Sequence, residues 1–117
     1  MRFIRVIQNE QLEYQVNLEK LLLVQLTATH GYLQLADQAD RIMISLAEWQ
    51  RIGPLLPPTE FIQVRETETK CFVVNLNCVS HIQVTTSFCY LYVHGIKERL
   101  MLKPDVWAEI SIHFPAQ

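Results

Sequence analysis

The stretch CFVVNLNCVSHIQV, from Cys71 to Val84, decides how this chain is read. It carries two of the three cysteines, and Cys78 stands three residues before His81, a C-x-x-H spacing that suggests a metal site. Its first half also alternates apolar residues as a β-strand does. The rest of the chain decides between the two readings. VNL at Val74–Leu76 repeats VNL at Val16–Leu18, and IQVT at Ile82–Thr85 repeats VQLT at Val24–Thr27. Working outward, the chain aligns on itself without a gap at an offset of 58 residues. FIRV at Phe3 matches FIQV at Phe61, YLQL at Tyr32 matches YLYV at Tyr90, and DRIMI at Asp40 matches ERLML at Glu98. The two tryptophans, Trp49 and Trp107, fall in register. Ile52 matches Ile110, and Pro57 matches Pro115. About fifteen identities over such a span exceed chance.

The repeat weakens the metal reading. The partners of Cys78 and His81 are Lys20 and Leu23, neither of them a ligand. On a strand, residues three apart face opposite sides, whereas zinc needs ligands converging at about 2.0–2.3 Å. Cys71, Cys78 and Cys89 are therefore read as reduced, buried or half-buried thiols, with no metal and no cofactor.

Each unit reads as five strands and a closing helix. The strands are Phe3–Ile7, Tyr14–Leu18, Leu22–Ala28, Tyr32–Ala36 and Arg41–Ile44, then Phe61–Val64, Phe72–Leu76, Val79–Thr86, Tyr90–His94 and Arg99–Leu102. The first helix starts at Ser45-Leu-Ala-Glu48, a capping-box pattern, and stops at Gly53. The second has Pro104 in its first turn. GPLLPPTE (Gly53–Glu60) joins the units. A unit of this size could hardly bury its own strand faces. The expectation is one compact, elongated, mainly β domain over residues 1–117, built of two pseudo-equivalent halves, 1–58 and 59–116. Leu33 and Leu35 should point one way and Tyr32 the other, with Leu91, Val93 and Tyr90 in parallel. Asn17 and Asn75 read as turn caps, and Trp49 and Trp107 as core anchors of the helices.

Composition bounds the function. Half the residues are hydrophobic, 19% are charged, and the net charge is −2. That suits a packed core and lacks the global basic footprint of many nucleic-acid binders. No apolar run approaches the ~18 residues of a membrane helix, and the N-terminus has no signal-peptide core, so a soluble cytoplasmic protein is expected. No phosphate-binding glycine loop, G-x-S-x-G or H-E-x-x-H is present. Cys89 with His94 or His81 carries no mark of an activated thiol, so no catalytic residue is assigned.

The run FIQV…CFVVNLNCVSHIQV resembles the central motif of LytTR-type DNA-binding domains, roughly F-x-R-x-H-x-S-y-x-V-N-x-x-x-I. LEKLLLVQLTATHGYLQL and RIMISLAEWQRIGPLLPPTEFIQV resemble segments upstream of it, and RLMLKPDVWAEI resembles its closing segment. The likeness spans roughly Tyr14 to Ile110. It implies a bacterial module that regulates transcription by reading duplex DNA through loops rather than a recognition helix; with no receiver domain in front, a stand-alone module is expected. Carried across by position, it implies His30 in Thr29-His30-Gly31, Lys70 with Arg65 and Thr69 nearby, and Lys103 at the start of the last helix. Lys and Arg would contact phosphates, and His30 could reach a base edge. A solvated loop histidine is the blander reading of His30 and the favoured one; its repeat partner, Phe88, is not polar, so the two halves are not functionally equivalent there. Lys97, Arg99 and Lys103 form the densest basic cluster, and Arg99 lies in register with Arg41, which suits a structural pairing as well as phosphate contact. One departure matters: where the family has H-R/N-S, this chain has the longer RETETKC, with Glu66 and Glu68 in it, and carboxylates oppose a phosphate backbone. The alternative is a protein-interaction or self-association module, a homodimer or a partner-binding domain that keeps the fold without DNA binding. Its surface would be exposed edge strands or the outward aromatics Tyr90 and Tyr92.

Overall fold

A computed structural model describes residues 2–114. The sequence alternation becomes ten strands and two short helices. The first half holds β1 (Phe3–Asn9), β2 (Leu12–Asn17), β3 (Leu21–Leu26), β4 (His30–Leu35), β5 (Ile42–Ser45) and α1 (Leu46–Ile52). The second holds β6 (Phe61–Arg65), β7 (Cys71–Asn75), β8 (Val79–Val84), β9 (Cys89–Val93), β10 (Leu100–Leu102) and α2 (Pro104–Ile110). Every element recurs at its repeat position, and strand ends move from the sequence reading by only a few residues.

The sheets do not follow the halves. Strands β1 and β2 form a hairpin, β10-β9-β8 form a three-stranded sheet, and β5-β4-β3-β7-β6 form a five-stranded sheet across the repeat boundary. Strand β3 takes β7 antiparallel, with Val24 opposite Val73 and Gln25 opposite Phe72. The five-stranded sheet is therefore the middle layer, with a core on each face. One core joins Val24, Leu33 and Val73 to Ile4, Val6 and Val16 of the first hairpin and to Ile52 of α1. The other joins Leu23, Ile62, Val64, Phe72 and Val74 to Leu91, Val93, Leu100 and Leu102, closed by Val106 and Ile110 of α2. Stacking three layers gives extents of 49 × 31 × 25 Å, the elongated body expected.

The parity expectations hold: Leu33 and Leu91 are fully buried, while Tyr32 and Tyr90 carry Arg41 and Arg99 on their outer faces. Asn17 and Asn75 both cap one-turn 3-10 segments, accepting from Glu19 N–H and Asn77 N–H at 3.0 Å. Trp49 and Trp107 are half-buried against the two cores. The capping box forms only in part. Ser45 Oγ accepts from Glu48 N–H at 3.1 Å, but the Glu48 carboxylate turns away to Ile7 N–H at 2.6 Å and to Arg51. That choice ties α1 to β1. Gly53 does not stop the helix with a left-handed residue: at φ −50° it leads into a 3-10 turn over Gly53–Leu55. A Cβ there would sit 3.4 Å from the Trp49 indole, in ordinary van der Waals contact. Among the described residues, no helix is long and apolar enough to cross a membrane.

Candidate nucleic-acid interface

Strand register fixes where the implied residues lie. Leu26 at the end of β3 faces Gly31 on one side and Cys71 on the other, and Cys71 faces Arg65. His30, Lys70 and Arg65 thus come to one end of the five-stranded sheet, on or beside β4, β7 and β6. At about 4.8 Å per strand, His30 and Lys70 flank β3 with roughly 10 Å between their backbones.

His30 is held by a threonine turn. Thr27 Oγ1 accepts from His30 N–H at 3.1 Å and Thr27 N–H donates to His30 O at 2.9 Å, with His30 Nδ1 3.0 Å from Thr29 Oγ1. The second half builds the same turn on Thr85, whose Oγ1 accepts from Phe88 N–H at 2.9 Å. The ring at each tip lies 6.4 Å from the tyrosine two residues on, His30 from Tyr32 and Phe88 from Tyr90. The turn is thus a framework device, and only the first copy presents an imidazole.

The RETETKC loop closes on itself. Glu66 N–H and Thr67 N–H both donate to Lys70 O, at 3.0 and 3.1 Å. Lys70 Nζ stands 3.7 Å from Glu66 Oε1 and 5.8 Å from the Phe72 ring centroid. Lys70 is held over the sheet and partly neutralised, whereas Arg65 is exposed. Lys103 is exposed at the N-cap of α2 and makes no side-chain capping bond. Helix α2 lies against the same region, its Val106 and Glu109 sharing a shallow cleft with Arg65, Thr67, Glu68 and Cys71.

The structure divides the basic cluster seen in the sequence. Lys97 and Arg99 leave Lys103 and join Arg41 and Lys70 around a cleft of about 690 Å³, with Glu66 and Glu98 on its rim. Leu23, Gln25, Gln34 and Phe72 of the middle sheet also line it. Arg41 Cζ sits 4.5 Å over Tyr32 and donates to Gln25 Oε1 at 2.8 Å. Arg99 Cζ sits 4.1 Å over Tyr90 and donates to Tyr92 Oη at 3.3 Å. Both arginines are oriented by the fold and keep further N–H donors for an anion. Arg41 was legible as the register partner of Arg99. Its meeting with Lys70 and Lys97 joins three segments distant in sequence and had no local signal.

The cysteines belong to the framework. Cys89 is buried in the second core, Cys78 packs against it, and burial pushes both thiols up. Cys71 Sγ accepts from Gln63 Nε2 at 3.1 Å.

Three layers, a middle sheet crossing the repeat and loops gathered at its end together describe a known architecture. The chain has a LytTR-type fold. It is similar to a solved LytTr DNA-binding domain from Bacillus cereus, with a TM-score of 0.68, 19% identity and 97% of each chain covered. Neither a family model nor a curated protein matches the sequence. At that identity the likeness concerns the LytTR-type backbone; the interface residues are this chain's own.

Proposed function

We propose that the protein is a non-enzymatic, cytoplasmic module that binds duplex DNA and regulates transcription. One observation carries the reading: Lys70 belongs both to the row at the sheet end, with His30 and Arg65, and to the cleft that holds Arg41, Lys97 and Arg99. The likeness to a LytTr DNA-binding domain supports it. In this reading the cations contact phosphates and position the module, and His30 reaches a base edge. Glu66 and Glu68 temper the affinity.

The test is a titration of the pure chain onto random-sequence labelled duplexes at low and moderate salt. Binding that weakens steeply with salt is expected, since each neutralised phosphate contributes about 0.9 to the slope of log K against log salt. Lys70→Ala and Lys103→Ala should each weaken binding and flatten that slope by about one. Absence of binding at low salt, where phosphate attraction is strongest, would overturn the proposal. An unchanged slope for either variant would remove that lysine from the site.

A further inference from the structure

The halves share their elements but not their partners. The seam pairs β3 of the first half with β7 of the second: Leu23 with Val74, Val24 with Val73, Gln25 with Phe72 and Leu26 with Cys71. The repeat equivalents of these strands are β8 and β2. Among the described residues, β8 pairs only with β9, and β2 only with β1. The pairing that joins the halves therefore leaves one unmatched strand of each kind.

Both outer edges keep parts of the seam chemistry. At the seam, Asn75 donates its amide to Leu18 O at 3.4 Å and to Leu21 O at 2.9 Å while its Oδ1 caps the following turn. Asn17 has nearly the same backbone, φ −75° and ψ 114° against −76° and 112°, and makes the same cap. Its amide is therefore oriented as that of Asn75 is, and the carbonyls equivalent to those of Leu18 and Leu21 are those of Leu76 and Val79. Phe61, 6% exposed, is covered in a pocket with Trp49, Pro54 and Leu56, whereas its equivalent Phe3 stands 52% exposed. On the other edge, Val84 is 57% exposed, whereas its equivalent Leu26 is half-buried at the seam. Exposed apolar side chains thus stand at both places where a continued seam would cover them.

We propose that a second copy of this chain adds its β1–β2 hairpin to β8. The added β2 runs antiparallel, with His81 opposite Val16 of the second copy, Ile82 opposite Gln15, Gln83 opposite Tyr14, and Val84 opposite Glu13. Phe3 of the second copy covers the α2 side near Trp107, and its Asn17 amide bonds to Leu76 and Val79 carbonyls. The contact is head-to-tail, so each added copy leaves one edge open at each end. It is also weaker than the internal seam. Gln15 replaces Val73, His81 replaces Leu23, and Glu13, bonded to Arg5 at 2.8 Å, replaces Cys71. The polar replacements make the association reversible and dependent on concentration.

Sedimentation velocity of the 117-residue chain without DNA, from micromolar to near-millimolar, tests the proposal. A mass that rises with concentration is expected; a constant monomer mass overturns it and leaves both edges as blunted strands. Phe3→Glu and Val84→Lys alter exposed positions, one on each surface. Each should raise the concentration needed for association by at least about tenfold, the effect of some 1.4 kcal/mol. Mixed in equal amounts, the two variants retain one good hairpin and one good β8 edge, so a dimer should return and growth should stop there. A mixture no heavier than its components overturns the head-to-tail geometry. Asn17→Asp keeps the capping oxygen and removes the amide donor, so it should unfold like the wild type yet associate about tenfold more weakly. Wild-type association of that variant overturns the register. No DNA enters these measurements, so their outcome is independent of the duplex titration.

Discussion

Strands β3 and β8 occupy the same place in the repeat and live in opposite surroundings. In β3, Leu21, Leu22, Leu23 and Val24 are all buried, because β4 and β7 flank the strand and a core lies on each face. In β8 none of the six residues is buried. Residue by residue, Leu-Leu-Leu-Val has become Val-Ser-His-Ile. The Ser80 hydroxyl donates to Tyr92 O at 3.2 Å, and the His81 ring stacks on Tyr92 at 4.1 Å. The difference teaches that position in the repeat sets the backbone, and the presence or absence of a neighbouring strand sets the side chains.

The largest test of this contrast moves the outer residue inward. Leu22→Ser copies Ser80 into β3, deletes a side chain 3% exposed in the second core and buries a hydroxyl there. A loss of about 4 kcal/mol in denaturant unfolding is expected. A loss under about 1 kcal/mol would mean that the cores on the two faces of β3 are looser than this packing.

The two asparagines give the next contrast. Asn75 is 2% exposed and carries the seam bonds as well as a cap. Asn75→Ala should therefore cost about 3 kcal/mol, since it strands buried carbonyls and an N–H. Asn17→Ala removes a cap alone and should cost about 1 kcal/mol. Equal losses in thermal unfolding would show that the amide bonds across the seam add nothing to the cap.

The helices differ too, and through pH. Glu48 is buried on α1, where its repeat counterpart on α2 is Val106. The Arg51 guanidinium, joined by Ile7 N–H, holds the Glu48 carboxyl below its ordinary value of 4.5. A lowered carboxyl stabilises the fold above its unfolded-state pKa, and the contribution is lost as pH falls through its native value. Glu48→Gln should cost about 2 kcal/mol at neutral pH, and the gap to the wild type should close as acid protonates the native carboxyl. A gap that stays constant from pH 7 to pH 3 would point to packing rather than charge.

Much of this was legible because the repeat reads each element twice. An isolated Leu-Leu-Leu-Val run is ambiguous between strand and helix, but its alignment with Val-Ser-His-Ile favours a strand. The pairing of β3 with β7 was not legible, since it joins segments about 50 residues apart and leaves no periodic trace. Glu48 matched a capping box by spacing, yet Ile7 N–H, 41 positions away, competed for its carboxylate. His30, Arg65 and Lys70 were placed by resemblance, and register then set them at one sheet end. The cleft side chains came together only through tertiary structure.

The seam also has a consequence in time. On the ribosome β3 is completed at Leu26, but its partner β7 begins at Cys71, about 45 residues later. At roughly 5–20 residues per second, the most apolar strand of the nascent protein waits about 2–9 s for its neighbour. During that interval Leu21–Leu26 has one ladder of backbone groups unmatched and apolar side chains on both faces. Slow codons between Gly53 and Lys70 would lengthen the wait, so the yield of soluble protein should depend on translation speed there more than anywhere after Asn75.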